Sequence, residues 1–146
     1  MNSKILSTLL ILVFLSCKSK QTEVDPKTMD KFDAFIQKEK FVKDMTIFYP
    51  GIADPTLRPV LTEKINQAAE DFRSVALSSN PTQQAYLEKI KIGLKRFENT
   101  SVMYDSEDKE RVCHYFEELM NIVGLKSSDG ILNTYLYGFN PDEKSN

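Results

Sequence analysis

A chain of 146 residues with 41% hydrophobic side chains is sized for one domain with a core of its own. Its formal net charge of −2, from 19 basic and 21 acidic residues, argues against a general nucleic-acid surface, which needs clustered Lys and Arg. Two cysteines and one histidine cannot assemble a zinc site of Cys and His ligands, and no cofactor motif is present.

Residues 1–16 read as an export signal peptide. Lys4 supplies the positive charge, and Ile5 to Leu15 form an apolar run broken only by Ser7 and Thr8. That run is too short to span a bilayer, which takes about 20 apolar residues. Phe14-Leu15-Ser16-Cys17 resembles the lipobox of bacterial lipoproteins. Phe14 stands where that family usually has Leu, and Leu15 where a small residue is more usual. Ser16 and Cys17 match the two most restrictive positions. The resemblance implies cleavage before Cys17 and a diacylglycerol on its sulfur. Two or more acyl chains anchor stably, at about 0.8 kcal/mol per buried CH₂. The alternatives are a plain secretory signal with a stray cysteine, or an uncleaved anchor. Loss of Lys4 takes the formal charge of the mature chain to about −3. The polar stretch KSKQTEVDP then reads as a tether, giving a lipidated tether over 17–27, a helical domain over 28–140 and a polar tail over 141–146.

In chain order, Thr28 is expected to cap a helix running to about Lys40, with Met29, Phe32, Phe35 and Ile36 inward. Phe41 to Ile52 loses helical periodicity, and Pro50-Gly51 is turn chemistry. Met45, Ile47 and Phe48 are expected to tuck beneath a helix, and a short strand there has no obvious partner. Asp54 and Pro55 then open a helix whose face is Leu57, Leu61, Ile65, Ala68, Phe72 and Val75, with Pro59 as the second candidate start. Asn80 and Pro81 are expected to begin another, with Gln83 reaching back as in a capping box. Its face is Tyr86, Ile90, Leu94 and Phe97, and Gly93 allows a neighbour to approach closely. Asn99 is expected to end it.

The stretch expected to organise the packing of the rest starts at Asp105 and Ser106, both good N-caps, with Glu107 and Asp108 complementing the helix dipole. Val112, Phe116, Leu119 and Val123 form its stripe, widened by Tyr115, Met120 and Ile122. Glu110, His114, Glu117, Glu118 and Asn121 fall opposite. Gly124 stops it, with Leu125 folding back. Ile131, Leu132, Tyr135, Leu136 and Phe139 make a last short helix closed by Gly138. The fold class is all-α: an irregular bundle of about five helices after the signal peptide, with one irregular extended segment near 41–53.

Cys113 beside His114 invites a thiol–imidazole dyad, but neighbours on a helix diverge by about 100°. His114 with Glu110, Glu117 and Glu118 makes at most a weak, open metal site, and a solvated charged face is the preferred interpretation. The acidic pairs Asp30 with Asp33 and Glu70 with Asp71 could serve two-carboxylate hydrolysis, but helix-surface acids of this kind are usually solvent-facing. No catalytic or metal-ligating residue is therefore assigned. The aromatics Phe48, Tyr49, Tyr104, Tyr135, Tyr137 and Phe139 lie in or beside loops and the last helix. Most of these are expected to complete a small core with their hydroxyls satisfied at the rim; Tyr137, Asn133 and Tyr49 are the candidate partner-binding residues, since an exposed tyrosine anchors a partner well.

The pattern FYPGI, the two central helices, and RVCHYFEELMNIVGLKSSDGILNTYLYGFNP together resemble the domain-of-unknown-function family 4844, a bacterial family, over roughly Phe41 to Pro141. The resemblance supports the domain boundary and a bacterial origin, and it transfers no site. The expected function is that of a membrane-anchored cell-envelope lipoprotein whose helical domain binds a protein partner. The alternatives are a cell-wall hydrolase using a carboxylate pair and an inhibitor or immunity-type envelope protein.

Overall fold

The computed structural model describes residues 25–98 and 105–140. Its helices are α1 (Pro26–Gln37), α2 (Arg58–Ala76), α3 (Gln83–Glu98), α4 (Ser106–Val123) and α5 (Ile131–Tyr137), with a 3₁₀ turn at Pro55–Leu57 ahead of α2. The fold is all-α. Among the described residues the strand-like pairing is an isolated antiparallel bridge between Asp44 and Tyr49. The signal segment with Cys17, the start of the tether, Asn99 and Tyr104, and the tail beyond Asn140 lie outside the described residues.

Local chemistry sets the boundaries. Asp25, not Thr28, caps α1: its carboxylate accepts from the Lys27 amide at 3.0 Å, and Pro26 takes the first helical position, where a missing N–H is not needed. Helix α1 therefore starts inside the stretch read from the sequence as tether. It stops at Gln37 because Lys38 turns to extended backbone (ψ 143°). Both prolines of the next segment find tolerant places. Pro55 opens the 3₁₀ turn capped by Asp54, and Pro59 sits in the first turn of α2. For α3 the expected Asn80–Pro81 start is corrected. Thr82 supplies the cap, its hydroxyl accepting from the Ala85 amide at 3.2 Å, and the helix begins at Gln83. Asp105 caps α4 as expected, and Gly124 ends it in left-handed backbone (φ 72°), with the Leu125 amide donating to Met120 at 2.9 Å.

Helix α2 packs against α1, α3 and α4, while α5 closes over α3 and α4. The core between them holds Leu61, Ile65, Phe72, Ile90, Phe97, Val112, Phe116 and Leu119, all essentially sealed from solvent. Phe139 is a correction: it does not join the α5 stripe but stands 62% exposed.

Gly93 leaves room on α3 for the Phe116 ring of α4. A Cβ built there would fall 2.6 Å from Cζ of the buried Phe116 ring. Gly93→Ala gains about 1 kcal/mol of helix propensity and meets an overpacking penalty of about 1–3 kcal/mol. The expected outcome is net destabilisation of about 1 kcal/mol, read as a lower denaturant midpoint. Gly93→Ala together with Phe116→Leu is expected to recover part of that loss.

Candidate functional site

The segment Lys38–Ala53 is a strap that leaves α1, crosses the N-terminal half of α4 and re-enters at Asp54. Helical hydrogen bonds do not hold it, so side chains must. Lys40 is 1% exposed. Its ammonium folds back on the end of α1 and donates to the carbonyls of Phe35 (2.8 Å), Lys38 (3.1 Å) and Ile36 (3.2 Å). These include carbonyls that a helix terminus leaves without an intrahelical partner, at the end whose dipole favours a cation. Burial pushes the Lys40 pKa down to about 8, with Lys38 adding to the shift and Glu118 opposing it.

Three residues of α4 grip the rest of the strap. The Tyr115 hydroxyl accepts from the Phe41 amide at 2.7 Å, and the Phe41 ring stacks edge-on against Tyr115 at 5.3 Å. The Arg111 guanidinium lies over the Tyr115 ring at 4.5 Å and reaches the Asp44 carboxylate at 3.4 Å. Tyr49 is buried and donates its hydroxyl to Asp108. Burial first, and then this bond, hold the Tyr49 phenol far above its usual range. Burial raises the Asp108 carboxyl above the ordinary carboxylate value, and the Tyr49 bond opposes that rise. Burial also raises Tyr115. Both phenols therefore stay neutral, and the inward charges are occupied in holding the strap.

Above this brace the strap rises into a finger. Asp44 and Tyr49 exchange backbone bonds of 2.9 Å, and the Asp44 carboxylate accepts from the amide (3.1 Å) and hydroxyl (2.5 Å) of Thr46. The Thr46 hydroxyl bond first of all holds Asp44 below the usual carboxylate range. The expectation that Met45, Ile47 and Phe48 tuck under a helix is overturned, because all three are exposed at the tip and Phe48 is 83% exposed. Phe48 also has left-handed backbone (φ 57°), worth about 1–3 kcal/mol of strain for a bulky residue.

Open recesses mark the surface of the described residues. One of about 450 Å³ between α1 and α4 is lined by Ala34, Phe35 and Ile122 together with Lys31, Lys38 and Glu118. One of about 580 Å³ lies between α3 and α5, where Leu94, Ile131 and Tyr135 meet Lys91, Lys95, Glu98 and Asp129. A third, of about 400 Å³, runs between the end of α4 and α5.

The sequence candidates separate. Tyr49 is corrected: it is buried against Asp108 and is not an exposed anchor. Asn133 is half-buried and lines the third recess. Tyr137 is 59% exposed, its ring 6.4 Å from that of Phe139. Cys113 is buried against the Leu132 carbonyl, and burial pushes its thiol up to about 12. His114 faces outward to Glu117 at 3.0 Å, so the two do not meet. The acidic pairs do not face each other across a site: Asp30 is exposed, and the other three acids form ion pairs. Asp33 and Glu70 both bind Arg73, and Asp71 binds Arg96 at 2.6 Å and Lys89 at 3.7 Å. Among the described residues no group of three or more His, Cys, Asp or Glu side chains is gathered to hold a metal. Sequence reasoning missed Asp108, Arg111 and Lys40 as inward groups.

These features define a small irregular all-helical domain whose inward polar groups serve one strap. Residues 23–140 match the family described as "Domain of unknown function (DUF4844)", and the chain belongs to that family. The chain is also similar to a crystal structure of a DUF3571 family protein from Acinetobacter baumannii AYE. The two share 30% identity with a TM-score of 0.68, over 77% of this chain and 89% of that one. No curated protein matches the chain.

Removing one partner of a buried bond leaves the other unsatisfied, at about 1–3 kcal/mol. Tyr49→Phe is expected to cost that much in urea unfolding. Tyr49→Phe and Asp108→Asn together are expected to cost less than the sum of the two single changes, since both break the same bond. Lys40 gives a pH signature. Between its folded value of about 8 and its ordinary value of 10.5, the unfolded chain binds more protons than the folded one, so this residue's contribution to stability rises with pH. Relative to Lys40→Met, the wild type is expected to gain stability across that window. A constant difference in unfolding midpoint would count against it.

Proposed function

We propose that the protein is a cell-envelope lipoprotein, exported by residues 1–16, anchored through a diacylglycerol on Cys17, and acting by binding through its helical domain. The anchoring part is supported by the lipobox-like Phe14-Leu15-Ser16-Cys17. Among the described residues no helix is long and apolar enough to cross a membrane. The observation that carries the binding part is the division of the side chains. The buried ionisable groups Lys40, Asp108 and Arg111 are tied to the strap. The large apolar side chains Tyr137 and Phe139 stand out in water. Tyr137 with Phe139, next to the Asn133 recess, is the surface this reading offers to an envelope protein.

Fractionation of cells carrying the full chain tests the proposal. Wild type is expected in the membrane fraction, with a lipid-modified cysteine as the first residue of the mature protein. Cys17→Ser is expected in the soluble fraction or unprocessed. A wild-type chain with an unmodified Cys17, or with Met1 still present, contradicts the anchor. Release of soluble fragments from purified cell-wall polymer by the wild-type protein would contradict the binding role and favour a hydrolase.

A further inference from the structure

The 44–49 finger carries features that the domain itself does not use. Phe41 and Phe48 both adopt left-handed backbone. For Phe41 the conformation is offset by packing, because its ring is buried against Tyr115. For Phe48 it is not, because its ring points into water with Met45 and Ile47 beside it. The carboxylate at the finger's base, Asp44, is turned toward Thr46 and Arg111. The neighbouring Lys43 is exposed. The tip is thus apolar with a cationic flank, on a base fixed by buried hydrogen bonds. Apolar side chains flanked by lysine are the composition that settles at a lipid headgroup boundary.

The chain ahead of the described residues indicates which surface meets this tip. Cys17 precedes Asp25 by eight residues, a reach of at most about 29 Å. Helix α1, with 12 residues, spans about 18 Å. The end of α1 where the strap is rooted is therefore within range of a bilayer that holds Cys17. We propose that the finger inserts Phe48, Met45 and Ile47 into the headgroup–acyl boundary of that bilayer and so fixes how the domain faces the membrane. The inference rests on the lipid anchoring proposed above. The acyl chains supply retention and the finger supplies orientation. A tethered bilayer is present at high effective concentration, so three side chains suffice without having to bind a membrane alone.

The chain has no tryptophan, so a single indole reports its own position. Phe48→Trp and, as a reference on α3, Ile92→Trp are made in the full lipidated chain. Each is reconstituted in vesicles of phosphatidylethanolamine and phosphatidylglycerol, with and without brominated acyl chains. Emission from position 48 is expected to be quenched several-fold more than emission from position 92. Equal quenching, or a change at position 48 that needs added envelope protein, overturns the inference. Vesicle flotation and the mass of the N-terminal peptide are scored in parallel. A chain that floats but is not quenched at position 48 refutes the finger and leaves the anchor standing. A chain that does not float and carries an unmodified Cys17 refutes both.

Discussion

The structure depends on one polar stripe along α4. Asp108, Arg111 and Tyr115 follow one another at steps of three and four and meet Tyr49, Asp44 and Phe41 of the strap in turn. The strap has little regular hydrogen bonding of its own, and a buried backbone group without a partner is costly. Tyr115 answers this for the Phe41 amide, and Lys40 does so for the last carbonyls of α1. A lysine with a single acceptor would be an expensive buried charge. With three carbonyls at a helix C-terminus it is the stopper that lets α1 end and the chain turn.

Much of the fold was legible in the sequence because it rests on short-range rules. Periodicity gave the apolar faces of α2, α3 and α4, and Gly124 and Asp105 marked the two ends of α4. Of the two candidate starts for α2, the one near Pro59 fits, since the α-helix begins at Arg58 and its first turn tolerates that proline. Errors of a few residues arose where several capping side chains competed, with Asp25 prevailing over Thr28 and Thr82 over Asn80.

The brace was harder to see. Asp108 read as a dipole-complementing surface acid and Tyr115 as a widening of the apolar stripe, when both belong to a second stripe with Arg111 between them. The signal existed, since positions 108, 111, 115 and 118 share a helix face. Its meaning came only from the strap, whose partners are 59 and 74 residues away along the chain. The same long-range pairing buried Tyr49 and pushed Phe48 outward. A turn that must close between Asp44 and Tyr49 leaves Met45, Ile47 and Phe48 no helix to tuck beneath.

Residue-by-residue hydrogen exchange on Tyr115→Phe tests the role of the α4 stripe most directly. If the stripe holds the strap, protection is lost at the Phe41, Asp44, Tyr49 and Ile52 amides, while the α2 amides from Ile65 to Phe72 keep theirs. Unchanged protection at Phe41 and Tyr49, or an equal loss throughout the molecule, would show that the strap is held by something else.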